Sequence, residues 1–308
     1  MMDKKEKLNE LKRRHNAVIL AHYYAPADVQ EAADYIGDSF LLSQTAARLD
    51  NPVICFAGVR FMGESAKILC PDKTVLLPEA GADCPMAHMA DPEEIAALRE
   101  RVEDLAVVCY INSTAELKCC ADVCVTSSNA LKIVRSLPNK NICFIPDRHL
   151  GQHIAASLPE KRFFFFDGCC HVHTGITPEQ VRAVRKSHPG IPVLAHPECR
   201  PEVLELADYI GSTSGIIGRA SSCSAGELLI CTEQGVLREL RKNCPGKTFY
   251  FPGENCVCPD MKQITLDKVI RSLETLSPEV TVSEEIRRKA WPPLARMLEL
   301  GGRKESAQ

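Results

Sequence analysis

ADYIGDS at residues 33–39, ADVCVTSS at 121–128 and ADYIGSTS at 207–214 are one phrase written three times, each reaching a hydroxyl side chain five residues after its aspartate. The aspartates, Asp34, Asp122 and Asp208, stand 88 and 86 residues apart. Twelve residues before them come His22, Tyr110 and His196, each closing a short apolar run. Farther along, Cys84, Cys170 and Cys258 are separated by 86 and 88 residues. Three landmarks on one period of about 87 residues indicate an internal triplication.

Within a period, apolar runs of strand length alternate with helical segments. AVILAH, DYIG, PVICFAG and KTVLLPE read as strands, SFLLSQTAARL and FMGESAKIL as helices. Strands apolar on both faces, with helices between them, predict a parallel sheet covered on both sides. FFFF at 163–166 reads the same way, as a buried strand. The expected fold class is α/β: three similar three-layer αβα lobes with parallel sheets around a pseudo-threefold axis. They are assigned to 1–89, 90–175 and 176–262, with C-terminal helices at 263–308 packing back on them. Trp291-Pro292-Pro293 is expected to kink or interrupt the last of these helices.

The 308 residues are 45% hydrophobic and carry a formal net charge of -3. That balance gives no electrostatic case for nucleic acid or an anionic membrane. No apolar run approaches the roughly 18 residues of a membrane span, and MMDKKEKLNELKRRHN has no apolar stretch after its charges. A cytoplasmic protein is expected. Of the 16 cysteines, Cys55, Cys109, Cys143 and Cys231 sit inside strand-like runs and read as small core hydrophobes. CCADVC, with Cys119, Cys120 and Cys124, lacks threefold counterparts and reads as packing.

In open parallel sheets, ligands collect at the carboxyl ends of the strands, which is where the landmarks fall. Ser39, Ser127 and Thr213 are placed at N-caps, where helix ends also favour anions. No GxxxxGK[ST] or strand-linked GxGxxG is present, so small carboxylates or phosphates suit these walls better than a nucleotide. His22 with Tyr24, Tyr110 with Asn112, and His196 with Glu198 are two residues apart, so in an extended segment each pair faces one way. Imidazole, phenol and carboxylate are proton-transfer groups. Cys84, Cys170 and Cys258 offer one sulfur per lobe. Spacing leaves open whether they hold zinc, with a fourth ligand such as His173, or a [4Fe–4S] cluster with one open iron. Cys169 and Cys256 compete as ligands, and the Cys-Pro shared by DCPM and VCPD favours Cys258 over Cys256.

LAHYY, ADYIGDS, DCPMA, YINSTAELK, TSSNA, PDRHLG, AHPEC, ADYIGSTSG and CVCPDMK, in that order, resemble the quinolinate synthase family through nearly the whole chain. The resemblance implies three α/β lobes around a pseudo-threefold axis and an iron–sulfur enzyme of NAD biosynthesis. Its reaction condenses iminoaspartate with dihydroxyacetone phosphate to quinolinate, releasing phosphate and two waters. It further implies a [4Fe–4S] cluster on Cys84, Cys170 and Cys258 with one open iron. His22, Ser39, Tyr110, Asn112, Ser127, His196, Glu198 and Thr213 are implied as substrate contacts, with Tyr24 and Glu198, and His196 nearby, as the proton-transfer groups. Functional coupling to an aspartate-oxidising enzyme is implied as well. The chain departs from the family in CCHVH, where proline often follows the middle cysteine, and in CVC, where a longer CxxCxxC ending is found. The bare residue pattern also admits another cluster-dependent hydro-lyase, a non-catalytic iron–sulfur sensor, or a zinc-stabilised fold.

Overall fold

The computed structural model describes residues 3–302. Three four-stranded parallel sheets carry the fold. The first contains β1 (Ala17–His22), β2 (Tyr35–Gly37), β3 (Val53–Ala57) and β4 (Thr74–Leu76). The second contains β5 (Leu105–Tyr110), β6 (Val123–Val125), β7 (Asn141–Ile145) and β8 (Arg162–Phe165). The third contains β9 (Val193–Ala195), β10 (Tyr209–Ile210), β11 (Glu227–Cys231) and β12 (Thr248–Tyr250). All three share one strand order, β2-β1-β3-β4, β6-β5-β7-β8 and β10-β9-β11-β12, with helices between successive strands. Cys55, Cys109, Cys143 and Cys231 are fully buried in β3, β5, β7 and β11, as their apolar surroundings require.

The repeated aspartate is a structural pin. Asp34, Asp122 and Asp208 each accept the backbone N–H of the residue three before the end-of-strand landmark: Ile19 at 2.9 Å, Val107 at 2.6 Å and Val193 at 2.8 Å. Each also pairs with a basic residue of the preceding helix, Lys12, Arg99 or Arg185. This stitch fixes the second strand against the first, so the end of one stands beside the end of the other. Lys73, Lys161 and Lys247 repeat too, each donating to two carbonyls at the end of the lobe's second main helix, such as Leu137 at 2.7 Å and Asn139 at 2.8 Å for Lys161.

Two expectations are corrected. Phe163 to Phe166 are only half-buried, because β8 is the edge of its sheet and borders an open groove. The C-terminal helix Glu284–Gly302 continues through Pro292 and Pro293, so of the expected kink or interruption the interruption does not occur. The carbonyls those prolines leave without a helical donor belong to Arg288 and Lys289 on the exposed side, where water can take them. Among the described residues, no helix is long and apolar enough to cross a membrane.

Candidate functional site

His22 and Tyr110 end β1 and β5, and His196 follows β9 directly. With strand order second-first-third, that is the switch point where a crevice opens beyond a parallel sheet. The three crevices meet. One cavity is lined by His22, Tyr24, Ser39, Cys84, Tyr110 and Asn112, and also by Ser127, Cys170, His196, Glu198, Thr213 and Cys258. The twelve candidate site residues therefore border the same space, whereas the repeated aspartates Asp34, Asp122 and Asp208 do not.

Tyr24 and Glu198 reach it through turns rather than along extended strands. In each turn the second residue donates its N–H to Nδ1 of the histidine two before it, Tyr24 to His22 at 3.2 Å and Glu198 to His196 at 3.3 Å. Nδ1 therefore lacks a proton, and in the neutral ring the proton sits on Nε2. His196 Nε2 donates to Ser127 Oγ at 3.2 Å. Burial, the largest cause in both, drives the two imidazoles down to about 3, so they remain neutral donors across the ordinary pH range.

A continuous hydrogen-bonded chain crosses the cavity wall. Thr213 Oγ1 lies 2.8 Å from Tyr24 Oη, which lies 2.9 Å from Thr232 Oγ1. Thr232 Oγ1 is 2.9 Å from His173 Nε2, and His173 Nδ1 is 2.7 Å from Glu198 Oε2. Tyr110 Oη donates to the other Glu198 oxygen. Burial pushes the Glu198 carboxyl up, but His173 at one oxygen and the Tyr110 hydroxyl at the other outweigh it and hold the group below the usual carboxylate range. Burial and then the Glu198 charge push both phenols, Tyr24 and Tyr110, well above theirs. The result is an ionised acceptor flanked by protonated donors. Asn112 adds a buried carboxamide oxygen without a protein partner.

Cys84, Cys170 and Cys258 precede three short helices, Pro85–His88, His171–Thr174 and Pro259–Lys262. All three cysteines take the same extended conformation, with φ/ψ of -107/111, -77/115 and -84/110 degrees. N–H groups of the following turn lie against each sulfur and favour its thiolate, while burial pushes all three thiols up. Partly buried thiols repelling one another's charge, each set before helical N–H donors, are suited to a shared multivalent cation. Cys169 and Cys256 do not line the cavity, and Cys256 packs in an apolar cluster of the third lobe. Cys170, His173 and Glu198 also bring three ligand atoms within 4.8 Å of one another, a second arrangement compatible with a metal.

The hydroxyl landmarks are not caps. Asp38 and Ser212 cap the helices Ser39–Arg48 and Thr213–Ser222, which places Ser39 and Thr213 one residue inside. Ser127 lies in a turn before the helix Ala130–Ser136. Freed from capping, these hydroxyls can turn to the cavity, and Thr213 does so onto Tyr24. Asp38 already supplies a carboxylate to its helix end and accepts from Ser214 Oγ at 2.6 Å. Sequence reasoning missed Asp38, Thr232, Glu233 and Asp147. Asp147 and Glu233 follow the third strands of their lobes 86 residues apart, with Val59 in the first lobe, so the same period contained them.

A family model described as "Quinolinate synthetase A protein" matches residues 6–299. The quinolinate synthase of Clostridioides difficile (strain 630) is 47% identical over 293 residues, 95% of this chain and 96% of that protein. That of Fusobacterium nucleatum is 47% identical over 298 residues, covering 97% and 99%. The quinolinate synthase of Methanosarcina barkeri is also 47% identical, over 95% of this chain and 96% of that protein. With its three in-register lobes, its shared cavity and this likeness along nearly its full length, the chain belongs to the quinolinate synthase family.

Proposed function

We propose that the chain condenses iminoaspartate with dihydroxyacetone phosphate to quinolinate, releasing phosphate and two waters. The observation that carries this reading is the convergence of the twelve candidate site residues on one cavity, in a chain of this family. Cys84, Cys170 and Cys258 are the residues that would hold a [4Fe–4S] cluster. Such a cluster supplies a Lewis-acidic iron for a substrate oxygen, since three protein ligands leave one iron open.

The chain's own groups divide the remaining work. His22 and His196, neutral and protonated on Nε2, donate to anionic or carbonyl oxygens without adding charge. Ser39, Ser127 and Thr213 supply hydroxyls, and Asn112 offers its orphaned oxygen to a substrate donor. Glu198, ionised, accepts a proton from a carbon or nitrogen undergoing dehydration. Tyr24, held protonated between Thr213 and Thr232, donates one to a leaving hydroxyl, and the Thr232–His173 chain links it back to Glu198. The imine is hydrolysable, so supply by an aspartate-oxidising partner and a cytoplasmic setting belong to the same proposal.

Zinc on Cys170, His173 and Glu198 is the second reading. His173 already uses Nδ1 toward Glu198 and Cys170, and Nε2 toward Thr232, which favours the hydrogen-bonded chain over a metal there. The test is anaerobic, iron-loaded protein given both substrates, with quinolinate measured by mass spectrometry. Quinolinate is expected. A brown, iron-replete sample that forms none overturns the reaction, and a colourless zinc protein overturns the cofactor.

A further inference from the structure

Two of the cavity cysteines have a carboxylate at their own backbone N–H. Cys84 N–H donates to Asp83 Oδ1 at 2.7 Å, and Cys258 N–H donates to Glu233 Oε1 at 3.1 Å. Glu233 does more. It has no exposed surface, accepts the Gly235 N–H at 2.6 Å through its other oxygen, and pairs with Lys262 Nζ at 2.8 Å. Lys262 ends the short helix that Cys258 begins, and the same ammonium donates to the backbone carbonyl of Tyr24 at 2.6 Å. The 233–235 turn presses on Tyr24 from behind: a Cβ on Gly235 would fall 2.7 Å from Tyr24 Cα and 2.8 Å from Tyr23 O. Burying a carboxylate completely is costly unless each oxygen is satisfied and the charge is paired. Both conditions are met here by groups that belong to the cysteine loop and the tyrosine turn.

We infer that Glu233 and Lys262 are positioning residues that lock the Cys258 loop of the third lobe to the Tyr24 turn of the first, so that sulfur ligand and phenol keep one relative placement. The inference rests on the cluster reading above. Neither side chain needs to touch substrate. Outer partners of this kind commonly change metal affinity by about 10–100-fold when removed, and a small misplacement of a reacting group lowers turnover on a similar scale.

The test compares anaerobically reconstituted wild type, Glu233→Gln and Lys262→Met. The readouts are iron and sulfide content, the rate of iron loss to a ferrous chelator, the electron paramagnetic resonance signal of the reduced protein, and kcat with KM. Glu233→Gln is expected to release iron about tenfold faster or more, with an altered signal and unchanged far-ultraviolet circular dichroism. Lys262→Met, on a side chain 31% exposed, is expected to keep its iron and to lower kcat about tenfold with little change in KM, and Lys262→Arg to restore it. A folded Glu233→Gln with wild-type iron release and signal overturns the inference. Should that variant not fold, wild-type kcat in Lys262→Met overturns it instead. A wild type that takes up no iron sinks the cluster reading, and the inference with it, whereas an iron-replete wild type with indifferent variants sinks the inference alone.

Discussion

A histidine ring that accepts a hydrogen bond at Nδ1 and is buried must stay neutral to keep its donor at Nε2 where it is wanted. His22 and His196 meet that condition by the same device, an N–H from the residue two ahead. Their depression to about 3 has a consequence for stability. In the unfolded chain both rings bind protons near pH 6.5, while the folded chain refuses them down to about pH 3. Stability from this source is therefore complete above pH 6.5 and is lost as pH falls through the window toward 3. Urea midpoints measured from pH 7 to 4 are expected to fall in the wild type and to fall less steeply in His22→Asn; equal slopes would mean the ring protonates in the folded state. Glu198 sits in the opposite position, a carboxylate kept charged to accept. Glu198→Gln is expected to retain iron and sulfide but to lose about 10²-fold or more in kcat, checked by quinolinate formation at matched iron content. The identity of these groups was legible from their spacing. Their turn-borne geometry was not, because a two-residue interval looks alike in a strand and in a turn that a histidine caps.

At the scale of the element, the repeated phrase does two things at once. Its aspartate pins the second strand to the first, and its hydroxyl lands five residues later at the cavity. Asp122→Ala leaves the buried Val107 N–H without its acceptor and takes from Arg99 one of its two partners. A loss of about 1–3 kcal/mol is expected, read as a lower urea midpoint at unchanged m-value. No loss would make the aspartate a mere surface charge. The same period exists in Lys73, Lys161 and Lys247, yet sequence reading passed over it, since a lysine beside a strand ordinarily signals only a solvated edge. FFFF failed for a related reason. Hydrophobicity says that a strand is apolar but not that it lies at the end of a four-strand order, and position in the sheet decides exposure. The proline pair misled because the helix rule concerns lost donors. It omits that water can satisfy the two carbonyls concerned on an exposed face.

Across the whole molecule the three lobes are alike in topology and unequal in packing. One continuous apolar core joins the first two sheets to the helices Leu266–Thr275 and Glu284–Gly302 through residues such as Leu273, Leu294 and Met297. The third sheet is served by two separate clusters, one around Ile216, Leu228 and Leu240, the other around Val181, Val193 and Cys231. Its first two strands are also the shortest of their kind, Val193–Ala195 and Tyr209–Ile210 against Ala17–His22 and Leu105–Tyr110 in the first strand's place. Triplication was plain in the sequence, but which copies share a core was not, because the C-terminal helices that join two of them lie outside the repeat. Opening free energy follows the apolar contacts and backbone bonds that an opening breaks. Amides of 193–195 and 228–231 are therefore expected to exchange with deuterium about tenfold or more faster than those of 17–21 and 105–110, a difference of about 1.4 kcal/mol. Equal protection in all three sheets would show that the cavity residues, rather than the apolar clusters, bind the third lobe to the others. Leu294→Ala discriminates further: it should cost about 2–5 kcal/mol and speed exchange in the first two sheets, leaving the third nearly unchanged.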